Sequence, residues 1–160
     1  MILLAEDRPD DVLLIKRALA EAKVKNPLYV VPDGEEALAY LDGAGKYSDR
    51  QAFPLPDILL LDLKMPKVSG FDVLREIRVR PELHNLRVLV LTSSEDIQDV
   101  NKAYELGASS FLVKPLEFHN FAALMHALNY FWLQRNSMPG VRNSMPLSEA
   151  AASRRTSAEN

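Results

Sequence analysis

The 160-residue sequence contains no cysteine, which excludes disulfides, thiolate metal sites and cysteine nucleophiles. That absence fits a reducing compartment. No apolar run approaches the roughly 20 residues that cross a bilayer. The N-terminus lacks the basic stretch, apolar core and cleavage site of a signal peptide. A cytoplasmic domain without a membrane segment is expected. There is no basic excess either: the net charge of -3 argues against a nucleic-acid binder. Histidines are few, and His84, His119 and His126 read as surface or packing residues. Gly43-Ala44-Gly45-Lys46 lacks the spacing and the Ser/Thr of a phosphate-binding P-loop, and reads as a surface turn.

What the chain does contain is an alternation of short apolar runs and helical periodicities. Met1 to Ala5 is an apolar run broken by Glu6, Asp7, Arg8 and Pro9, the pattern of a strand buried on both faces. Pro9 suits a first helical turn, where its missing N–H costs nothing. Val12, Ile15, Leu19 and Ala22 then recur at helical spacing until Asn26-Pro27. Leu28 to Val31 is a second strand, and Asp33-Gly34 opens a helix carrying Ala37, Leu38 and Leu41. Gly43 to Pro56, with two Gly and two Pro, reads as a surface loop.

Ile58 to Leu61 is the most uniformly apolar stretch and ends in Asp62. After the turn Lys64 to Gly70, Phe71, Leu74 and Ile77 mark a helix. Leu86 to Leu91 is a fourth strand ending in Thr92-Ser93-Ser94. Ser94 and Glu95 suit the start of a helix that runs to Gly107, a residue suited to a C-terminal cap. Ser110 to Val113 ends in Lys114-Pro115, and a last helix is expected from about Glu117 to Arg135. Five strands alternating with five helices imply one doubly wound α/β domain, a five-stranded parallel sheet with helices on both faces. The domain is expected over 1–135. A polar tail over 136–160, expected to be disordered, repeats Arg-Asn-Ser-Met-Pro at 142 to 146 after its first copy at 135 to 139.

Open parallel sheets bind ligands at the carboxyl ends of their strands, so those ends form a functional census. The first delivers Glu6 and Asp7, the third Asp62, the fourth Thr92 and the fifth Lys114. Each alone is ordinary, since an acid after a strand usually caps a helix or lies solvated in a turn. Together they bring three acids, a hydroxyl and an ammonium to one edge. Two carboxylates about 4 Å apart repel by roughly 4 kcal/mol at an effective dielectric near 20. Three cannot all stay ionised without a cation or a raised pKa. A hard, oxygen-rich site with few protein ligands suits Mg²⁺. With it, Asp62 could act as a carboxylate nucleophile toward a phosphoryl group, while Lys114 and Thr92 hold the phosphoryl oxygens.

Four segments carry a family resemblance: Leu4-Ala5-Glu6-Asp7, Leu60-Leu61-Asp62-Leu63-Lys64-Met65-Pro66 through Gly70, Val90-Leu91-Thr92-Ser93, and Phe111-Leu112-Val113-Lys114-Pro115. In this order they resemble the receiver domain of two-component response regulators, whose flavodoxin-like strand order is 2-1-3-4-5. The resemblance implies Asp62 as phosphoacceptor and Asp7 as direct metal ligand. Glu6 would be the second acid, and the backbone carbonyl of Lys64 a further ligand of Mg²⁺. It implies Thr92 as switch hydroxyl, Phe111 as switch aromatic, Lys114 as the phosphate-pairing lysine, and a cis Lys114–Pro115 peptide. Phe111 has no hydroxyl to offer in the switched state, and Lys64 puts a cationic side chain beside the phosphate.

The Glu6-Asp7 start, the insertion around Gly45-Lys46-Tyr47 and the ending Tyr130-Phe131-Trp132-Leu133 resemble the small receivers paired with bacterial phytochrome histidine kinases. Such a protein catalyses only its own phosphorylation and dephosphorylation. No output domain is expected after residue 135, so signalling would run through protein contact, with a downstream target or with a second copy. Phe121, Leu124, Met125, Leu128 and Trp132 form an inward stripe. Tyr130 and Phe131 lie off it, which points to a homodimer through the fourth helix, fifth strand and fifth helix. A haloacid-dehalogenase phosphohydrolase would also use Asp62 with Mg²⁺, but needs a second acid where Lys64 stands. A flavodoxin would need a Ser/Thr/Gly-rich loop where Glu6, Asp7, Arg8 and Pro9 stand.

Overall fold

The computed structural model describes residues 1–134; the expected tail over 136–160 and its repeat lie outside them. Strands β1 (Ile2–Ala5), β2 (Leu28–Val31), β3 (Ile58–Leu61), β4 (Arg87–Thr92) and β5 (Ser110–Val113) alternate with helices α1 (Pro9–Glu21), α2 (Gly34–Asp42), α3 (Gly70–Val79), α4 (Ile97–Glu105) and α5 (Phe118–Leu128). All four strand pairs are parallel, in the order β2-β1-β3-β4-β5. The connecting helices lie on both sides of the sheet, α1 and α5 on one face and α2, α3 and α4 on the other, so both faces are covered.

The alternation of side chains along each strand sorts the core into two layers. Leu3, Leu59, Leu61, Val88 and Val90 point toward α2, α3 and α4, and meet Ala37, Leu41, Val73, Leu74, Ile77 and Ala103. Ile2, Leu4, Ile58, Leu60, Leu89 and Leu91 point the other way, onto Ile15, Ala18 and Leu19 of α1 and Phe121 and Met125 of α5. Every residue of β1 and β3 is buried, which is why these runs are uniformly apolar rather than alternating. Each Leu or Ile so buried contributes about 1.5–3 kcal/mol.

The structure differs from the sequence expectation in three places. Gly43 to Pro56 is exposed along most of its length, as a surface loop should be, but it is locally ordered: Gly45–Tyr47 forms a 3₁₀ turn and Tyr47 is buried. Its ring lies 4.9 Å from that of Tyr40 at a tilt of 53°, and Phe53 meets both edge-on. The second difference is the start of α4, which falls at Ile97. Asp96 is its N-cap, accepting from the Gln98 N–H at 2.8 Å. Ser94 instead donates to Asp99 at 2.6 Å, tying the preceding turn to the helix rather than starting it. The last helix, finally, changes pitch after Leu128 and continues as a π-helix over Asn129–Gln134. Asn129 is buried there and its amide donates to the Ala22 carbonyl at 3.0 Å, satisfying a helix-end acceptor of α1.

Candidate functional site

Strand register brings the expected residues together. Ala5 pairs with Leu61, so Glu6 lies opposite Asp62, and the Asp62 N–H donates to the Ala5 carbonyl at 3.1 Å. Thr92 pairs with Val113, and the Lys114 N–H donates to the Thr92 carbonyl at 2.8 Å. The backbone ladder therefore delivers four strand ends to one edge. Oxygen atoms of Glu6, Asp7 and Asp62 all lie within 4.8 Å of one another.

Lys114 holds this cluster together. Its Nζ donates to Glu6 Oε2 at 2.5 Å, to Asp11 Oδ2 at 2.9 Å and to Asp62 Oδ2 at 3.4 Å. An ammonium has three N–H donors, and each meets a carboxylate here. The side chain is only 10% exposed. Burial pulls its pKa down, but hydrogen bonds to Glu6 and Asp11 and the charges of Asp62 and Glu6 outweigh this and leave it raised. Glu6, almost fully enclosed, shows the opposite balance. Desolvation pushes its carboxyl up, and Lys114 and the Arg8 N–H only partly reverse the shift.

Asp62 is buried, and its Oδ1 accepts from the Leu63 N–H at 2.7 Å. Gly70 sets the chain that follows. A Cβ at Gly70 would stand 2.2 Å from the Asp62 carbonyl oxygen, so only glycine lets α3 begin against this strand end. The same loop is tied down at Lys67, in the left-handed region at φ 64°. Its Nζ pairs with Asp33 at 2.6 Å, and Asp33 also caps α2 through the Glu36 N–H. Burial alone would raise the Asp33 carboxyl; Lys67 and the helix N–H groups hold it below its ordinary value. Thr92 is fully buried, with Oγ1 accepting from the Ser94 N–H at 3.4 Å, and Phe111 is half-buried.

One expectation is corrected. No peptide bond among the described residues is cis, so Lys114–Pro115 is trans. The trans form is the more stable X–Pro isomer by about 0.5–1 kcal/mol, and Lys114 reaches all three acids from it. Asp11, on the first turn of α1 and four residues beyond Asp7, is part of the site although the census of strand ends omits it. The available signal was its place in the first turn of a helix that starts directly after the Glu6-Asp7 strand end. Asp33 and Lys67 also fall outside that census, two residues past the end of β2 and six past the end of β3.

The donor set fits a divalent cation. Its atoms are hard oxygens, and Asp7 Oδ1 is buried without a hydrogen-bond partner, an arrangement that is costly unless something positive meets it. The response regulator receiver domain family matches residues 2–127. The chain belongs to this family. As a receiver it is 34% identical over 139 residues to response regulator Rcp1 of a Synechocystis strain, covering 87% of this chain and 92% of that protein. The Mn²⁺-bound structure of Rcp1 superposes with a TM-score of 0.77 at 34% identity, over 86% of this chain and 97% of that one. The phosphorylated cyanobacterial phytochrome response regulator RcpA gives 0.79 at 35% identity, over 86% and 96%. RPA3017, a response regulator in red light signalling of R. palustris, gives 0.82 at 35%, over 86% and 96%. These receivers share its strand order, and nothing among them favours the phosphohydrolase reading. No described helix is long and apolar enough to cross a membrane.

Proposed function

We propose that Asp62 accepts a phosphoryl group from a histidine kinase in the presence of Mg²⁺, and that the receiver then signals by protein contact. The observation that carries this reading is the clustering of Asp62 with two further acids and a buried lysine. Oxygens of Glu6 and Asp7 lie within 4.8 Å of one of Asp62, and Lys114 Nζ, which bonds Glu6, lies 3.4 Å from Asp62 Oδ2. An Asp62 oxygen attacks phosphorus, the bond from phosphorus to the kinase histidine breaks, and the imidazole leaves with its electron pair.

Glu6, Asp7, Asp62 and the Lys64 backbone carbonyl are the groups to hold Mg²⁺. When bound it neutralises the carboxylates and the charge of the incoming phosphoryl oxygens. Lys114 and the Thr92 hydroxyl take the remaining oxygens. Burial helps here, because ionic contacts weaken less where water is excluded. The catalysis is confined to the receiver's own phosphorylation and dephosphorylation. Similarity to phytochrome response regulators supports a bacteriophytochrome as the kinase. Thr92 and Phe111 form the switch, since both stand on the strands between Asp62 and α4.

The face of α4, β5 and α5 is the output surface, and we propose that it forms a homodimer. Ile97, Tyr104, Tyr130 and Phe131 are each at least half exposed around it. Sedimentation equilibrium checks this, and a monomer at every concentration, phosphorylated or not, ends the dimer reading. The phosphoacceptor reading is checked by intact-mass spectrometry after incubation with acetyl phosphate and Mg²⁺. One phosphoryl addition is expected, absent with EDTA and absent in Asp62→Asn. Addition that persists in Asp62→Asn would move the acceptor elsewhere.

A further inference from the structure

Lys114 is shared unevenly. It lies closer to Glu6 (2.5 Å) and Asp11 (2.9 Å) than to Asp62 (3.4 Å), the residue whose phosphoryl group it would have to pair. Glu6 is fixed by its strand end and by the Arg8 N–H that donates to its Oε1 at 3.2 Å. Asp11 comes instead from α1, an element outside the strand ends that build the site. Acids in a first helical turn are ordinary, because they complement the helix dipole. Asp10 and Asp11 both satisfy that rule. Only Asp11 turns inward: Asp10 is exposed, whereas Asp11 is largely enclosed and its Oδ2 receives the lysine, with Arg8 Nη1 more distant at 4.0 Å. The dipole therefore accounts for the presence of an acid, and leaves unexplained its bond to the site lysine.

We infer that Asp11 is a positioning residue that holds Lys114 part-way off Asp62, and so sets how readily the lysine moves onto a phosphoryl group there. The inference rests on the receiver reading above. With three N–H groups on three carboxylates, Lys114 can strengthen its pairing at Asp62 only by weakening another bond. The Asp11 bond is the weaker of the two competitors by distance, and α1 rather than the sheet carries it. Asp11 thus opposes the phosphorylated state and favours the resting one.

The test uses the full chain with saturating Mg²⁺ and fluoroberyllate, which adds to a carboxylate oxygen as a phosphoryl mimic, followed by ¹⁹F NMR. Asp11→Asn is expected to bind it about 3- to 10-fold more tightly, the scale of one ordinary hydrogen bond, because the amide oxygen still accepts from Lys114 without the charge. Asp11→Glu should lie close to the parent, because it restores the carboxylate. Asp10→Asn removes the same charge from the same turn without touching Lys114, and should leave the affinity unchanged. Equal tightening by Asp10→Asn would show a general charge effect and overturn the inference, as would unchanged binding by Asp11→Asn. A crystal structure of Asp11→Asn without metal gives a second readout: Lys114 Nζ is expected to close from 3.4 Å to roughly 2.8 Å from Asp62. A lysine that stays in place overturns the inference independently. If the parent itself binds no fluoroberyllate, the receiver reading falls and takes this one with it; binding by the parent with no difference among variants sinks only the role of Asp11.

Discussion

The phosphoacceptor edge is buried, whereas the segment between α2 and β3 is exposed along most of its length and anchored by Tyr47, Arg50 and Phe53, and the two balance their polar groups in opposite ways. At the edge, acids outnumber the cation that serves them. Glu6 carries a carboxyl raised by burial, Asp7 Oδ1 has no partner, and one lysine serves three carboxylates. Between α2 and β3, the partners match. Arg50 donates to the carbonyls of Tyr40, Leu41 and Phe53, closing the C-terminal end of α2. The Tyr47 hydroxyl donates to Glu36 at 2.5 Å, and Lys46 pairs with the same carboxylate. The two regions show that polar groups have two uses in this fold: at the buried edge they store unmet demand for a cation and phosphate, and in the segment they supply stability. Substitutions should therefore separate them, costing chemistry at the edge and folding free energy in the segment.

The largest expected effect on stability is Tyr40→Ala. Tyr40 is fully buried against three other aromatic rings, Tyr29, Tyr47 and Phe53, and donates to the Pro54 carbonyl at 3.1 Å. Large-to-small aromatic substitutions in a core cost about 3–5 kcal/mol. Denaturant melts should show that loss, while phosphoryl uptake in the fraction still folded stays at the parent rate. A loss of uptake equal to the loss of stability would show that the regions are not separable. Arg50→Ala comes next, at about 2 kcal/mol, because three carbonyls lose a charge-assisted donor. Arg50→Lys should recover only part of it, since an ammonium lacks the fork that spans three acceptors.

The contrast also explains what the sequence disclosed. Strand ends in an open parallel sheet must face one edge, so Glu6, Asp7, Asp62, Thr92 and Lys114 could be placed together from chain order alone. Nothing in chain order says which helix residue leans back over that edge, and so Asp11 was missed although it stands only four residues beyond Asp7. The glycines and prolines of the segment 43–56 announce a surface loop, and most of it is exposed, but they do not announce its internal order. Its order comes from tertiary contacts of Tyr47, Arg50 and Phe53 with α2, which no local pattern encodes. The pitch change at Asn129 has the same origin, a bond to Ala22 on a helix more than a hundred residues earlier. The pairing of Lys67 with Asp33 is likewise a link between two loops that the sequence separates.

A smaller effect sharpens the same division by pH. Burial pushes the Tyr40 phenol up to about 12 from its ordinary 10, with Tyr29 and Tyr47 adding to the shift and Arg50 opposing it. A raised pKa means that the fold prefers the protonated phenol. Its contribution is full below pH 10 and is lost as pH rises from 10 to 12, where the unfolded chain has released the proton and the folded chain has not. Alkaline denaturation of the parent should be steeper across that window than that of Tyr40→Phe, which has no phenol to ionise. Identical curves would mean that the ring is less desolvated than its burial implies.

The smallest effect should have the opposite sign. Glu6→Gln keeps the shape of a residue that is 2% exposed and removes a charge that burial disfavours more than Lys114 compensates. A carboxyl raised in the fold stabilises it fully only below the unfolded value of about 4.3, and that contribution is lost as pH rises through the folded value. Near neutral pH in EDTA, Glu6 therefore costs stability, and Glu6→Gln should melt at or slightly above the parent temperature. About 1 kcal/mol corresponds to roughly 2–4 °C in a chain of this size. At pH 4 both side chains are largely neutral and the two melting curves should converge. With Mg²⁺ added, the order should reverse, because the parent retains an acid that the metal stabilises and the variant does not. A variant less stable than the parent in EDTA would mean that the Glu6–Lys114 bond outweighs desolvation. The edge would then be satisfied in the same way as the segment between α2 and β3, and the contrast between the two regions would fail.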